Sequence, residues 1–149
     1  MLFNNQQTMN TSTIEERFEF GNIWHSNIFI PEIGHGKFFV TLGAINDIVY
    51  GFFYINSKIN FNVNRHMEQA FLQIPISNTD YSFLTKETSY ISCARIEELN
   101  KTKLIESISR GETQWKAKLK QEHIDIICQK VNKSSLYSRR IKRQLFGYV

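Results

Sequence analysis

The chain has few cysteines and no long apolar run, and both absences narrow the classes of protein it can belong to. Its 149 residues include two cysteines, Cys93 and Cys128, without the close pairing of a zinc site. We therefore expect free, buried thiols in a reducing compartment, and neither a structural metal nor a disulfide. No segment approaches the ~20 apolar residues of a membrane span. The polar start of the chain lacks the parts of a secretion signal, so we expect a cytoplasmic protein.

Common nucleotide-binding and hydrolase motifs are also absent. The sequence contains no phosphate-binding loop, no Gly-x-Gly-x-x-Gly, no His-Glu-x-x-His and no Gly-x-Ser-x-Gly. The acidic residues are too scattered to indicate a metal-dependent nuclease. We therefore expect no cofactor.

Positive charge is concentrated towards the end of the chain. The formal net charge is +4, from 18 Lys and Arg residues against 14 acidic ones. Residues 101–149 hold 12 of those basic residues and 4 of the acidic ones. This imbalance is typical of proteins that bind a polyanion or an acidic partner. It is equally typical of a solvated helix surface.

The hydrophobic pattern predicts one domain over residues 1–149, of class α+β and mainly β. We expect residues 1–11 to be disordered, residues 21–111 to form a small, strongly curved antiparallel sheet or half-barrel, and residues 113–149 to be helical. The predicted strands are Asn22–Ile30, Gly36–Leu42, Ile48–Ile55, Ile59–Asn64, Phe71–Ile76 and Ser89–Ile96. The predicted helices are a short one opened by a capping box at Ser12, then Lys103–Ile108, Gln114–Lys133 and Leu136–Leu145.

The clearest local feature is a β-hairpin made by the second and third predicted strands. Both strands are apolar almost throughout, which predicts burial on two faces. Asn46-Asp47 predicts the turn between them. Pro75, in a later strand, predicts an edge position for that strand because proline cannot donate to a ladder.

Polar residues flank the outer ends of this hairpin. His35 and Lys37 stand at the start of its first strand, and Ser57 follows its second. Since antiparallel pairing brings such ends side by side, the three side chains are expected to meet at one rim. An imidazole, an ammonium and a hydroxyl can together act on a phosphodiester without a metal. The same residues are also typical of ordinary exposed loops and turns.

A second set of residues is a candidate for RNA contact without catalysis. Phosphate contacts of this kind add affinity but do not read sequence. The set comprises Asn56, Lys58, Arg65, Arg139 and Arg140.

The order of these residues resembles the MazF/PemK-like endoribonuclease toxins and, more loosely, the ToxN toxins. The resemblance covers roughly residues 21–133 and begins at Gly21-Asn22-Ile23-Trp24, similar to the opening strand of that family. It continues through Gly34-His35-Gly36-Lys37, then Ser57 at a strand end, then Ser89-Tyr90-Ile91. Lys37-Phe38 stands where the family has Arg-Pro, and Gly36 replaces a customary acidic residue. A lysine loses the bidentate fork of arginine.

The resemblance implies a small curled β-barrel with C-terminal helices, acting as a homodimeric toxin of a toxin–antitoxin pair. Such a toxin cuts single-stranded RNA without metal, through a 2′,3′-cyclic phosphate. Lys37 would stabilise the developing negative charge, His35 would act as general acid or base, and Ser57 would position the phosphate or the 2′-hydroxyl. A cognate antitoxin, protein or RNA, is implied as well.

Two other interpretations of the sequence remain open. The same barrel fits a non-catalytic module that binds nucleic acid or protein. The basic C-terminal segment also fits an accessory protein that associates with nucleic acid through that segment alone.

Overall fold

The computed structural model describes residues 10–27, 36–52, 55–56 and 70–149, and of Asn56 only the backbone. The fold of these residues is mixed α+β and mainly β, as the sequence predicts. The strands are β1 (Asn22–Ser26), β2 (Lys37–Ile45), β3 (Ile48–Phe52), β4 (Ile55–Asn56), β5 (Gln73–Ser77), β6 (Thr88–Ser92), β7 (Glu97–Asn100) and β8 (Thr113–Lys118). The helices are α1 (Thr11–Glu16), α2 (Lys101–Ser109), α3 (Gln121–Lys133) and α4 (Arg139–Leu145).

The strands form two antiparallel sheets. Five strands pair in the order β7-β3-β2-β1-β8 and three in the order β4-β6-β5. A two-residue turn joins β2 to β3 at Asn46 and Asp47, as predicted, and Asn46 takes a φ of 54° that asparagine tolerates well. Pro75 lies in β5, an edge strand of the smaller sheet, which confirms its predicted position. The described strands of the two sheets do not join into a closed barrel.

The middle of β2 is buried on both faces, which confirms the expectation from its apolar run. Phe39 and Val40 are both fully buried although they point to opposite sides of the sheet. Phe39 packs with Trp24, α1 and α2 on one side. Val40 packs on the other side with residues of the smaller sheet, α3 and α4. The five-stranded sheet therefore separates two hydrophobic clusters.

The predicted helix Gln114–Lys133 is wrong in its first part. Residues 113–118 form β8, which pairs with β1, and the helix begins only at Gln121. Trp115 and Leu119 lie four residues apart and imitate a helical stripe, yet Trp115 belongs to the strand. Its indole donates to the Asn22 side chain at 3.0 Å, and the guanidinium of Arg17 lies 4.0 Å from its ring centre. Pairing with β8 also satisfies the backbone groups along this edge of β1, which a helix over residues 113–118 would leave unpaired.

Other boundaries differ in smaller ways. The side chain that caps α1 is Asn10, which accepts from the Thr13 amide, so the cap at Ser12 is wrong. The run predicted as one strand over Ile48–Ile55 serves both sheets, because β3 ends at Phe52 and β4 pairs with β6. The strand predicted over Ser89–Ile96 ends at Ser92. The predicted strand Ile59–Asn64 lies outside the described residues.

The basic C-terminal segment is part of the core rather than an appended tail. Phe146 is 2% exposed, and its ring lies within 6.1 Å of the rings of Phe20, Phe52 and Tyr137, centre to centre. The Tyr137 hydroxyl donates to the backbone oxygen of Cys93 at 2.6 Å. Removing this segment would therefore expose the centre of the fold. Along the described chain, the helices are too short or too polar to cross a bilayer.

Candidate functional site

Lys37 opens β2, at the end of the sheet where β1 finishes. It lies directly opposite Ser26 of β1 and is half-buried. This burial lowers the pKa of the Lys37 ammonium below its ordinary value, because the charged form loses part of its hydration. A lysine of this kind holds its charge close to a bound anion with little competing water, and it gives up a proton more readily than a surface lysine.

His25 is a residue of this end of the sheet that sequence reasoning missed. It lies opposite Phe38, and the two rings make an edge contact with centres 4.8 Å apart. Its ring also lies against the backbone of Gly36, where an added Cβ would stand 2.2 Å from Cε1 of His25 and 2.4 Å from Oδ1 of Asn27. The imidazole of His25 thus packs closely against Gly36, the residue next to Lys37. The pairing of β1 with β2 is the signal that could have revealed the position of His25.

His25 and Lys37 reach this end of the sheet from opposite faces. Residues paired directly across an antiparallel ladder share a face, and neighbours along a strand alternate. Lys37 therefore shares its face with Ser26, whereas His25 shares the other face with Phe38. His25 does not take the place beside Lys37 that the sequence predicts for His35.

A chain of buried hydroxyls begins at Ser26, on the same face of the sheet as Lys37. Thr113 of β8 donates to Ser26 at 3.0 Å, and the hydroxyls of Ser107 and Thr113 are 2.9 Å apart. Ser107, in α2, also donates to the backbone oxygen of Leu104 at 2.7 Å. Because these hydroxyls bond one another in the interior, they fix β1, β8 and α2 together rather than supply a nucleophile.

Most of the other residues predicted for the site lie in parts of the chain that the structure does not describe. His35, Ser57, Lys58 and Arg65 lie outside the described residues, so their meeting with Lys37 stays a prediction. Asn56 belongs to β4, where its backbone pairs with Tyr90 of β6.

Arg139 and Arg140 are exposed in the first turn of α4. This helix is anchored by Leu145, which lies beside Gly43 of β2. Gly43 is six residues along β2 from Lys37, or roughly 20 Å at the rise of an extended strand. The two arginines therefore belong to a surface separate from the Lys37 end of the sheet.

Comparison with protein-family models, with curated proteins and with solved structures finds no match.

Proposed function

We propose that the protein is a metal-independent endoribonuclease that cuts single-stranded RNA, and that it is the toxin of a toxin–antitoxin pair. The observation that carries the proposal is the half-buried ammonium of Lys37 at the first residue of β2, with its pKa lowered by burial. Such a group stabilises the negative charge that develops on a phosphate during strand cleavage more strongly than an exposed lysine does.

The proposed reaction is an internal transesterification. The 2′-oxygen of the substrate attacks the adjacent phosphorus, and the P–O bond to the 5′-oxygen of the next nucleotide breaks. The 2′-hydroxyl proton passes to a general base and the departing 5′-oxygen takes up a proton, which leaves a 2′,3′-cyclic phosphate and a 5′-hydroxyl. Lys37 stabilises the charge on the non-bridging oxygens, His35 transfers the protons, and Ser57 positions the phosphate or the 2′-hydroxyl.

The proposal extends to the architecture and to the partners. The two sheets are proposed to be parts of one curled barrel, supported by the short step in sequence from β3 to β4 and by the hydrophobic cluster that both sheets share. The functional unit is proposed to be a homodimer. A cognate antitoxin is proposed to cover the basic residues that are candidates for RNA contact, because acidic groups or phosphates complement their charge.

The test uses purified protein and a mixed pool of RNA in the presence of EDTA, followed by sequencing of the fragment ends. Cleavage that leaves 2′,3′-cyclic phosphates supports the proposal, and intact RNA at high protein concentration rejects it. Lys37→Ala, His35→Ala and Ser57→Ala should each slow cleavage. Lys103→Ala is the matched control, because Lys103 is an exposed lysine of α2.

A non-catalytic binding module is the second candidate, favoured by the exposed arginines of α4. Arg139 and Arg140 stand side by side, and both are exposed in the described structure. Arg139→Glu together with Arg140→Glu should then abolish RNA retention. If RNA binding and toxicity survive loss of Lys37, His35 and Ser57 together, this second function replaces the first.

A further inference from the structure

A cluster of metal-ligating side chains lies where α3 meets the connection between β5 and β6. Asp80 belongs to that connection, and Glu122 and His123 belong to the first turn of α3. One imidazole nitrogen and one oxygen from each carboxylate all lie within 4.8 Å of one another. Residues more than 40 positions apart in sequence thus bring three potential ligand atoms close together.

The imidazole of His123 is held in place by a residue outside the cluster. His123 is only 9% exposed, and its Nδ1 lies 2.6 Å from the hydroxyl oxygen of Tyr81. The same oxygen accepts from the Lys120 amide at 2.9 Å. Tyr81 is therefore fixed from two sides and orients the ring. The other ring nitrogen, Nε2, has no hydrogen-bond partner among the described residues.

The carboxylates differ in what they bind. Asp80 accepts from the ammonium of Lys120 at 2.6 Å, whereas Glu122 has no hydrogen-bond or ion-pair partner within the described ranges. The cluster therefore already attracts one cation, the lysine, and leaves a carboxylate and an imidazole nitrogen unused. A divalent cation would interact with both carboxylates at once.

We propose that Asp80, Glu122 and His123 form a zinc site that fastens α3 to the β5–β6 connection. Nitrogen and carboxylate oxygen are donors that zinc accepts, and three protein ligands leave one tetrahedral position for water. On binding, Nε2 supplies its lone pair to the metal, Nδ1–H donates to Tyr81, and the ammonium of Lys120 leaves Asp80 for solvent. Tyr81 is then the outer partner that a zinc-bound imidazole usually has. The site lies outside the groups proposed for RNA cleavage, so it does not depend on that function.

The experiment is calorimetric titration of the full chain with zinc chloride, together with thermal unfolding at rising zinc concentration. We expect one zinc per chain and a melting temperature that rises with zinc. Glu122→Gln and Asp80→Asn, both at exposed or partly exposed positions, should weaken zinc binding by about tenfold or more. Tyr81→Phe should weaken it by about ten- to a hundredfold, as loss of an outer partner does.

A variant that gains affinity makes the test sharper. Lys120→Met removes the cation that competes for Asp80, so it should bind zinc more tightly than the natural chain. Asp125→Asn is the matched control, because Asp125 is an exposed acid of the same helix that accepts from Gln121 instead. Cys128→Ser excludes zinc binding through a thiol. The proposal is overturned if the natural chain shows no saturable binding, if Glu122→Gln and Asp80→Asn bind zinc as the natural chain does, if Lys120→Met fails to tighten binding, or if Cys128→Ser abolishes it.

Discussion

Replacing Tyr81 with phenylalanine should destabilise the protein measurably although it removes one oxygen atom. That oxygen bonds the Nδ1 of His123 and the backbone amide of Lys120. The tyrosine is 3% exposed and His123 is 9% exposed, so water replaces the lost bond to the imidazole poorly. A buried polar group left unpaired costs about 1–3 kcal/mol. We expect the free energy of unfolding to fall by this amount. Most of the loss should come from the Nδ1 of His123, which is left buried without its hydrogen-bond partner.

Urea unfolding of the metal-free protein measures this loss, and thermal unfolding gives a second reading at roughly 2–4 °C for each kcal/mol in a chain of this length. Tyr148→Phe is the matched control, because Tyr148 is near the chain end and its hydroxyl has no hydrogen-bond partner in the described structure. If Tyr81→Phe proves as stable as Tyr148→Phe, the contact between Tyr81 and His123 does not hold α3 in place.

Three further predictions test separate parts of the structure. Phe146→Ala should cost about 3–5 kcal/mol in unfolding free energy, since it empties a buried site; a loss under about 1 kcal/mol would contradict the placement of the C-terminal segment in the core. Gly36→Ala should change the unfolding free energy by less than about 1 kcal/mol, because flexible ends of His25 and Asn27 can yield, yet it should remove the ring contact between His25 and Phe38 in NMR spectra. Lys120 lowers the pKa of Asp80 through its hydrogen bond, so an NMR titration should place the Asp80 midpoint below 3.8, and Lys120→Met should return it towards that value. The ion pair between Lys120 and Asp80 stabilises the fold at pH values above the ordinary pKa of an aspartate, and this contribution is lost as the pH falls through the lowered pKa of Asp80. An Asp80 midpoint that is unchanged in Lys120→Met would refute this role of Lys120.

Local rules predicted the features that depend on near neighbours in sequence. The turn at Asn46-Asp47 follows from the tolerance of asparagine for positive φ, and β2 follows from its continuous apolar run. Pro75 marked an edge strand because it cannot donate to a second neighbour. The concentration of basic residues in the last third was visible too, but composition did not show that Phe146 ties this segment into the core.

Features that depend on tertiary pairing could not be predicted in the same way. Residues 113–118 have a period compatible with a helix, and only the open edge of β1 makes them a strand. In the sequence His25 is an ordinary strand residue, and only the register between β1 and β2 shows that its ring packs against Gly36. The sequence did not reveal the cluster of Asp80, Glu122 and His123, because Asp80 lies more than 40 positions from the other two residues and only the tertiary fold brings them together.

The most direct test of the central claim is the rate and end chemistry of RNA cleavage by the natural chain and by Lys37→Ala, both in EDTA. We expect the natural chain to leave 2′,3′-cyclic phosphate ends, and the variant to cleave about a hundredfold more slowly or worse, as when an enzyme loses a group that stabilises developing charge. Equal rates for the two proteins, or RNA that stays intact with both, would contradict the account.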